Sequence, residues 1–192
     1  MEKVQLREKL QKCLLEMSEK QRTAKSKKAC RNLISTPQFQ NASTIMLYLS
    51  LPYEADTTEA ILCAWQLDKI VAVPKISWQQ RHMMPVRINS LETGFLTEVT
   101  GLRNPLEGVP MAIEEIDLVV APALGFDRKG NRLGHGGSYY DRFFANTAIK
   151  AQRCGFAFAE QMIEDVPMRD HDKQMDFLVT DEEIIHCNPA RL

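Results

Sequence analysis

A strand, a helix and a second strand follow one another near the start of this chain, and this succession constrains the fold more than any other feature. Residues 44–49 (TIMLYL) are rich in β-branched and aromatic side chains, which is typical of a buried strand. Asp56 and Glu59, spaced as in a capping box, predict the start of an amphipathic helix. Residues 70–73, closed by Pro74, form the next strand. Because the connections are short, we expect parallel strands joined by a right-handed crossover, which makes the fold class α/β.

The rest of the chain continues this pattern. Apolar residues at helical spacing before Ser18, and the Ser18 and Gln21 capping-box pattern, predict two amphipathic helices ahead of the first strand. Further strands are expected at residues 83–88, 116–121, 154–159 and 176–180, and a further helix at residues 139–149. No linker, repeat or low-complexity tract divides the sequence, so we expect a single domain over residues 1–192.

The charge of the chain argues against nucleic acid as a partner. The net charge is -1 and the isoelectric point is about 6.4, which predicts no general affinity for polyanions. Residues 1–31 nevertheless carry ten Lys and Arg against four Glu. We interpret these cations as the solvated outer face of a helix, with an anionic ligand as the alternative. No aromatic residue lies among them to stack on bases.

The cysteines and the chain start indicate a cytoplasmic protein. Five widely spaced cysteines without a CxxC pair predict neither a disulfide framework nor a zinc site, and such cysteines are usual in a reducing compartment. The start, MEKVQLREKLQ, is charged where a signal peptide requires an apolar stretch. No run of about eighteen apolar residues occurs, so we expect no membrane partner.

A glycine-rich segment at residues 125–140, GFDRKGNRLGHGGSYY, is the strongest candidate for a functional site. Glycines let backbone N–H groups converge on an anion, and a following helix adds positive potential at its start. Arg132 can supply a bidentate contact to phosphate. The segment matches neither a Walker A loop nor a dinucleotide fingerprint. A mobile loop with turn glycines is the alternative.

Carboxylates and tyrosines near this segment extend the candidate site. Asp141, just inside the predicted helix, suits a Mg²⁺ ion that bridges phosphates, although a first-turn carboxylate also stabilises a helix dipole. Asp172 offers a second carboxylate in a polar stretch. Tyr139 and Tyr140 are adjacent, so they point about 100° apart on a helix, and one of them is expected to face a ligand.

These residues resemble one family of enzymes. RLGHGGSYYDRF at residues 132–143, after the strand DLVVAPALGFD, is similar to the hallmark segment of 5-formyltetrahydrofolate cyclo-ligases, also called methenyltetrahydrofolate synthetases. Lys3 and Arg7 match the family's Lys-x-x-x-Arg arrangement. YLSLPYEADT at residues 48–57 and VPMRDHDKQMDFLVT at residues 166–180 extend the resemblance over nearly the whole chain.

The resemblance implies a three-layer α/β/α domain with a mostly parallel sheet. It also implies conversion of 5-formyltetrahydrofolate and ATP to 5,10-methenyltetrahydrofolate, ADP and phosphate, with Mg²⁺ as cofactor. The residues that would contact ATP are Lys3, Arg7, Arg132, Leu133, Gly134, His135, Gly136, Gly137, Ser138, Tyr139 and Tyr140. Leu49, Glu54 and Tyr139 would line the folate site, and Asp141 and Asp172 would serve the metal. No catalytic residue is assigned, and a monomer or weak dimer is expected.

Two positions depart from the family pattern. Ser138 stands where the family usually has glycine, which matters if the backbone there needs a positive φ. Asn104 stands where a glutamate is usual, which puts the role of that acid in doubt. Two other functions are possible for such a fold: a sugar-phosphate isomerase or CoA transferase, and a non-catalytic nucleotide- or folate-binding module.

Overall fold

The computed structural model describes residues 2–188 and contains twelve strands. In chain order they are β1 (Thr44–Leu47), β2 (Ile70–Ser77), β3 (His82–Arg87), β4 (Phe95–Thr97), β5 (Arg103–Pro105), β6 (Val109–Pro110), β7 (Leu118–Ala121), β8 (Gly125–Phe126), β9 (Arg132–Leu133), β10 (Gln152–Phe156), β11 (Phe177–Val179) and β12 (Ile184–His186). Eight of them form one sheet in the order β12-β11-β10-β7-β1-β2-β3-β6, and β4-β5 and β8-β9 form two small ribbons.

Five α-helices accompany the strands. They are α1 (Lys3–Glu16), α2 (Glu19–Ser35), α3 (Pro37–Asn41), α4 (Thr58–Gln66) and α5 (Tyr139–Phe144), and Ile113–Glu115 and Ala159–Gln161 are short 3-10 turns. The two N-terminal helices were predicted, and so was the capping box at the start of α2. Ser18 Oγ accepts from Gln21 N–H, and the Gln21 side chain accepts from Ser18 N–H. Within residues 2–188, no helix combines the length and apolar character that a membrane crossing requires.

The centre of the sheet is parallel, as the sequence predicted. β1 pairs in parallel with both β2 and β7, and β10 pairs in parallel with β7 and β11. The outer strands β3, β6 and β12 run antiparallel to their neighbours. A parallel pair requires a crossover connection, and α4 supplies it between β1 and β2. The mixed α/β fold with a mostly parallel sheet is thus confirmed.

Both faces of the sheet are covered, but unequally. In β1, Ile45 and Leu47 belong to one buried cluster and Met46 to another, because successive side chains point to opposite faces. The first cluster includes Leu14 of α1 and Leu33 of α2, so the N-terminal helices cover that face. The second face is covered by α5 and surrounding loops. The six-residue α5 is much shorter than α1 and α2, so helices cover the two faces to different extents.

The predicted end of β2 was wrong. The strand expected to close at Pro74 continues to Ser77. The pairing of β2 with β1 ends at Ala72, so beyond that residue β2 is paired only with β3. A proline there therefore breaks no hydrogen bond between β2 and β1. Pro74 faces Pro85 at a position that forms no hydrogen bond between β2 and β3. Val71 and Ile88, three positions along the strands, form a hydrogen-bonded pair, and such pairs alternate with pairs that form none.

The two predicted helices that flank the candidate site also differ from the structure. The helix expected to follow a cap at Asp56 begins at Thr58, one residue later than such a cap implies, with Thr57 in the N-cap position. Asp56 Oδ1 still accepts from the N–H of Thr58, the first helical residue. The helix expected over residues 139–149 ends at Phe144. Asn146 stops it by accepting from the Ala148 N–H through its side chain, a local turn that competes with helix. The short helix α3 was missed.

Candidate functional site

A cavity of about 1050 Å³ lies beyond the carboxyl ends of β1 and β7, where ligand sites form in open α/β sheets. All the predicted site residues line it, although they come from distant parts of the chain. They are Lys3, Arg7, Leu49, Glu54, Arg132, Leu133, Gly134, His135, Gly136, Gly137, Ser138, Tyr139, Tyr140, Asp141 and Asp172. The cavity wall carries six Lys or Arg and four Asp or Glu residues, so it suits an anionic ligand.

The glycine-rich segment is partly ordered secondary structure, not a free loop. Its first part folds into the β8-β9 ribbon, and Asp127 accepts three hydrogen bonds from Lys129, Asn131 and Val166 backbone N–H groups, which fixes the turn. The part that follows β9 has left-handed backbone at Gly136 and Gly137, with φ of 114° and 73°. A glycine adopts such angles without steric cost.

Ser138 also has a left-handed backbone, with φ of 51° and ψ of 34°. It is the N-cap residue of α5, yet its side chain forms no capping hydrogen bond. The position therefore requires the positive φ that glycine provides, and serine adopts it at a cost of about 1–2 kcal/mol. Local strain of this kind is found most often at functional sites.

Arg132 is the most deeply buried cation of the site, at 7% exposure. Its Nη2 lies 3.2 Å from Asp141 Oδ1, its Nη1 donates to the Pro122 carbonyl at 3.4 Å, and its guanidinium lies 5.3 Å from the Tyr140 ring centroid. Its Nε is buried without a partner among the described residues. The Gly134 backbone approaches so closely that a Cβ there would lie 2.6 Å from Arg132 Nη1. The guanidinium is thus fixed at the cavity wall with one donor unused.

Helix α1 brings two cations to the same wall. Arg7 Nε donates to the Gly134 carbonyl at 2.8 Å, and Lys3 Nζ donates to Asp172 Oδ2. Burial alone would raise the pKa of Asp172. The hydrogen bonds from Lys3 and from Arg169 N–H, with the charges of Lys3 and His171, outweigh it and hold that pKa below its usual value. The carboxylate of Asp172 is therefore ionised at neutral pH.

Glu54 and His135 form a second polar contact across the cavity. Glu54 Oε1 lies 2.7 Å from His135 Nε2, and Glu54 Oε2 accepts from the Leu51 N–H at 2.8 Å. The Tyr53 ring centroid lies 6.0 Å from that of His135. Burial and, to a smaller degree, the charge of Glu54 raise the pKa of Tyr53. The glutamate that sequence alone would place in a solvated loop is buried at the site.

Aromatic side chains form a further wall of the cavity, which both predicted tyrosines line. The Tyr140 hydroxyl is buried without a hydrogen-bond partner among the described residues, and burial raises its pKa. Tyr139 packs against Trp78 with ring centroids 5.7 Å apart and planes at 87°. Trp78 Nε1 donates to Glu98 Oε1, which ties the turn after β2 to the segment after β4.

Sequence reasoning missed several residues that line the cavity. Trp78, Arg81, Arg103 and Arg169 all contribute to its wall. The only available sequence signal was the tryptophan itself, a large aromatic residue beside polar neighbours in a turn. The placement of Arg81 and Arg103 depends on how the β2-β3 hairpin and the β4-β5 ribbon fold over the end of the sheet. Arg169 lies in residues 166–180, a segment that the family resemblance covers without assigning a role to this arginine.

Asn104 forms a contact that a glutamate, the residue expected at this position, could not form. Its side-chain amide donates to the Ile76 carbonyl and accepts from the Ile76 N–H, both at 2.9 Å. It thereby joins β5 to β2 as a neighbouring strand would. A glutamate at this position would lack the donor.

The carboxylates at the cavity fit a hard divalent cation. Asp141 accepts from Arg132 and from the Lys173 N–H through Oδ1, and its Oδ2 accepts no hydrogen bond from a described residue. Within residues 2–188, no group of three His, Cys, Asp or Glu side chains could bind a metal by itself. Mg²⁺ commonly takes one or two carboxylates and completes its shell with phosphate and water. The donor set therefore fits Mg²⁺ bound together with a phosphate ligand.

Comparisons with known proteins agree on one family. The sequence model of the 5-formyltetrahydrofolate cyclo-ligase family matches residues 1–181. A mouse 5-formyltetrahydrofolate cyclo-ligase is 32% identical over 181 residues, which cover 89% of each chain, and one from Haemophilus influenzae is 31% identical over 144 residues, which cover 73% of this chain and 75% of that protein. The solved structure of 5,10-methenyltetrahydrofolate synthetase from Aquifex aeolicus matches with a TM-score of 0.83 at 29% identity, covering 97% of this chain and 93% of that chain.

Proposed function

Since this chain belongs to the 5-formyltetrahydrofolate cyclo-ligase family, we propose that it cyclises 5-formyltetrahydrofolate to 5,10-methenyltetrahydrofolate in a reaction that requires ATP and Mg²⁺ and releases ADP and phosphate. One observation carries this proposal. The residues that the family resemblance assigns to ATP, folate and metal come from both ends and the middle of the chain, and all of them line one cavity. A volume of about 1050 Å³ is slightly above the usual range for small-molecule sites, as a site that binds two substrates requires.

The polar atoms of the cavity support a phosphate ligand. Arg132 Nε and the Tyr140 hydroxyl are buried and unpaired among the described residues, and a buried polar group without a partner costs about 1–3 kcal/mol. Phosphate oxygens would accept from both groups. Lys3 and Arg7 would add positive charge from α1, and the N–H groups of Gly136 and Gly137 would complete the anion site.

In the proposed complex, Asp141 and Asp172 would bind a Mg²⁺ ion, which would neutralise phosphate charge during transfer. Each carboxylate pairs with a cation in the structure, Asp141 with Arg132 and Asp172 with Lys3. On binding, ATP would accept hydrogen bonds from Lys3 Nζ and from the unpaired Nε of Arg132, while Oδ2 of Asp141 would stay free for the metal. The same residues thus balance charge in the free enzyme and in the complex.

The folate is proposed to bind beside Leu49, Glu54 and Tyr139. A formamide carbon is a poor electrophile, so the formyl oxygen is phosphorylated by ATP and becomes a leaving group before N10 attacks. Such phosphoryl transfer needs cations and alignment more than a covalent nucleophile. The cation-rich wall and the absence of an activated nucleophile among the cavity residues agree with this chemistry.

The proposal also places the enzyme in the cytoplasm. All five cysteines are free, and buried free cysteines such as Cys30 and Cys154 are usual in reducing compartments. Burial raises the pKa of the Cys30 thiol to about 12, which keeps it protonated and unreactive.

The test of the function is the stoichiometry of the reaction. Purified protein is incubated with 5-formyltetrahydrofolate, ATP and Mg²⁺, and methenyl product, ADP and phosphate are quantified, with each component omitted in turn. We expect the three products in equal amounts, and only in the complete mixture. Binding of both substrates without methenyl product would instead indicate a non-catalytic binding module.

A further inference from the structure

The contact between His135 and Glu54 has the geometry of a carboxylate that orients a histidine base. Glu54 is held at both oxygens, by His135 Nε2 at 2.7 Å and by the Leu51 N–H at 2.8 Å. Its side chain is 5% exposed, whereas that of His135 is 32% exposed and lines the cavity. The carboxylate therefore faces the protein, and the imidazole is accessible from the cavity.

The hydrogen bonds determine which imidazole nitrogen is available. An ionised carboxylate only accepts hydrogen bonds, so the proton of this contact belongs to His135 Nε2. A neutral imidazole with its proton on Nε2 carries its lone pair on Nδ1. No residue within 2–188 forms a hydrogen bond with Nδ1. This is the arrangement by which a carboxylate fixes the tautomer of a histidine and stabilises its cation after proton uptake.

The proposed reaction requires such a proton acceptor. N10 of the folate carries one hydrogen in 5-formyltetrahydrofolate and none in the methenyl product, so a proton must leave N10 when the ring closes. We propose, on the basis of the function proposed above, that His135 Nδ1 accepts this proton and that Glu54 holds the imidazole in place. This gives His135 a catalytic role in addition to the ATP contact expected from the family resemblance.

The step balances without a further reactant. The N10 lone pair forms the new bond to the formyl carbon, and the bond from that carbon to the phosphorylated oxygen breaks. Inorganic phosphate leaves with the electron pair of the broken bond. The electrons of the N10–H bond remain on N10, the proton moves to His135 Nδ1, and it passes to water after the product leaves.

Charged groups of both signs are packed around His135. Glu54 supplies one negative charge in direct contact with the ring. Arg7 of α1 supplies a positive charge next to it, since its Nε donates to the carbonyl of Gly134. The Tyr53 ring lies 6.0 Å away, and the raised pKa of its hydroxyl keeps it neutral. An imidazolium that forms during the reaction would therefore have the negative charge of Glu54 and the positive charge of Arg7 beside it.

The variant His135→Gln distinguishes two roles of His135, a catalytic base and a residue that only holds Glu54 in position. A glutamine amide can still donate to Glu54 Oε1, but it cannot accept a proton at neutral pH. We expect kcat to fall about 100-fold or more, which is within the range for loss of a general base. A general base also makes the kcat of the wild-type protein decrease toward acid pH, and this decrease should disappear in the variant. The apparent affinity for ATP should change much less than kcat.

His135→Ala provides a second measurement, because the truncation leaves room for imidazole from solution. Added imidazole should restore a measurable part of kcat, with a dependence on the fraction of neutral imidazole. The matched control is His82→Gln. His82 lies on β3, is exposed and does not line the cavity. This variant should keep the wild-type kcat and its decrease toward acid pH, and added imidazole should not change its kcat.

The outcomes are distinguishable. If wild-type protein forms methenyl product and His135→Gln retains kcat within about threefold with the same pH profile, His135 is not the base. Loss of kcat in folded His135→Gln, with imidazole rescue of His135→Ala, supports the proposal. If wild-type protein forms no methenyl product, the proposed function fails and the role of His135 falls with it. Circular dichroism of each variant identifies loss of fold.

Discussion

Two helices of this protein begin after a serine, and they begin in opposite ways. Ser18 precedes the seventeen-residue α2 with extended backbone, and its side chain completes a capping box with Gln21. Ser138 precedes the six-residue α5 with left-handed backbone and caps nothing. The first serine follows the local rules for helix starts, and the second breaks them beside the cavity. The comparison indicates that the scaffold is built from local preferences, whereas the site uses a conformation that only the surrounding structure can hold.

The largest expected effect comes from breaking the site at Arg132. Arg132→Ala leaves Asp141 as a buried, unpaired carboxylate, and breaking a buried pair typically costs about 3–5 kcal/mol of stability. Lost hydrogen bonds to phosphate should lower kcat/KM for ATP by about 10- to 150-fold, which corresponds to roughly 1.5–3 kcal/mol. Urea unfolding and steady-state kinetics measure the two effects.

Arg128→Ala is the matched control for this variant, because Arg128 lies in the same glycine-rich segment but outside the cavity. Its side chain is 68% exposed and pairs with Glu183. Such an exposed pair contributes less than about 1 kcal/mol, and ATP use should be unchanged. Equal losses in the two variants would contradict a special role for the buried guanidinium.

Replacement of Trp78 should have the next largest effect, and it tests the aromatic wall of the cavity. Stacking of an aromatic ligand ring on a side chain contributes about 1–3 kcal/mol, so Trp78→Ala should raise KM for the folate about 5- to 150-fold. The chain contains only one other tryptophan, Trp65 on α4, which does not line the cavity. In Trp65→Phe protein, 5-formyltetrahydrofolate should quench the remaining fluorescence. If Trp65→Phe protein binds the folate without a change in fluorescence, Trp78 is not part of the proposed folate site.

The two serines themselves allow a direct test of the comparison. Ser18→Ala removes a cap and should destabilise the protein by about 1 kcal/mol. Ser138→Gly removes the steric cost of a positive φ and should stabilise it by about 1 kcal/mol, or about 2–4 °C in Tm. Thermal unfolding of both variants measures the sign. A destabilised Ser138→Gly protein would mean that the serine side chain contributes a contact worth more than the strain.

Much of the fold was predictable because it depends on local patterns. The apolar run of β1, the capping box at Ser18 and the succession of short strands were sufficient for a parallel α/β sheet. The end of α5 was not predictable from helical spacing, because the Asn146 side chain competes for the backbone there. The course of β2 through Pro74 depends on which neighbours β2 has at that point, which sequence does not state.

The candidate site was predictable through motif resemblance more than through chemistry. Asp141 and Arg132 looked like an isolated carboxylate and an isolated cation in sequence, and their 3.2 Å contact exists only in the folded chain. The pair of Glu54 and His135 joins residues 81 positions apart, so no local pattern indicates it. Arg81 and Trp78 were missed because hairpin geometry, not a motif, brings them to the cavity.

The smallest expected effect is the pH dependence of the Asp172 contact. Its pKa is lowered in the folded protein, so its contribution to stability is present above its unfolded pKa of about 3.9 and is lost as pH falls through the folded value. Asp172→Asn keeps an oxygen that can accept from Lys3 and from the Arg169 N–H, so it should be only slightly less stable than wild type at pH 7, with the difference shrinking below about pH 4. Urea midpoints at pH 7 and pH 3 measure it. A difference that grows toward acid pH would contradict the sign of the shift.

If the segment that breaks local rules is the ligand site, ligands should slow hydrogen exchange there and not in α2. Exchange of backbone amides is followed by mass spectrometry with and without Mg²⁺, ADP and 5-formyltetrahydrofolate, a mixture that cannot turn over. We expect strong protection of residues 132–144 and little change in residues 19–35 of α2. Protection confined to α2, or none in residues 132–144 with both ligands bound, would contradict it.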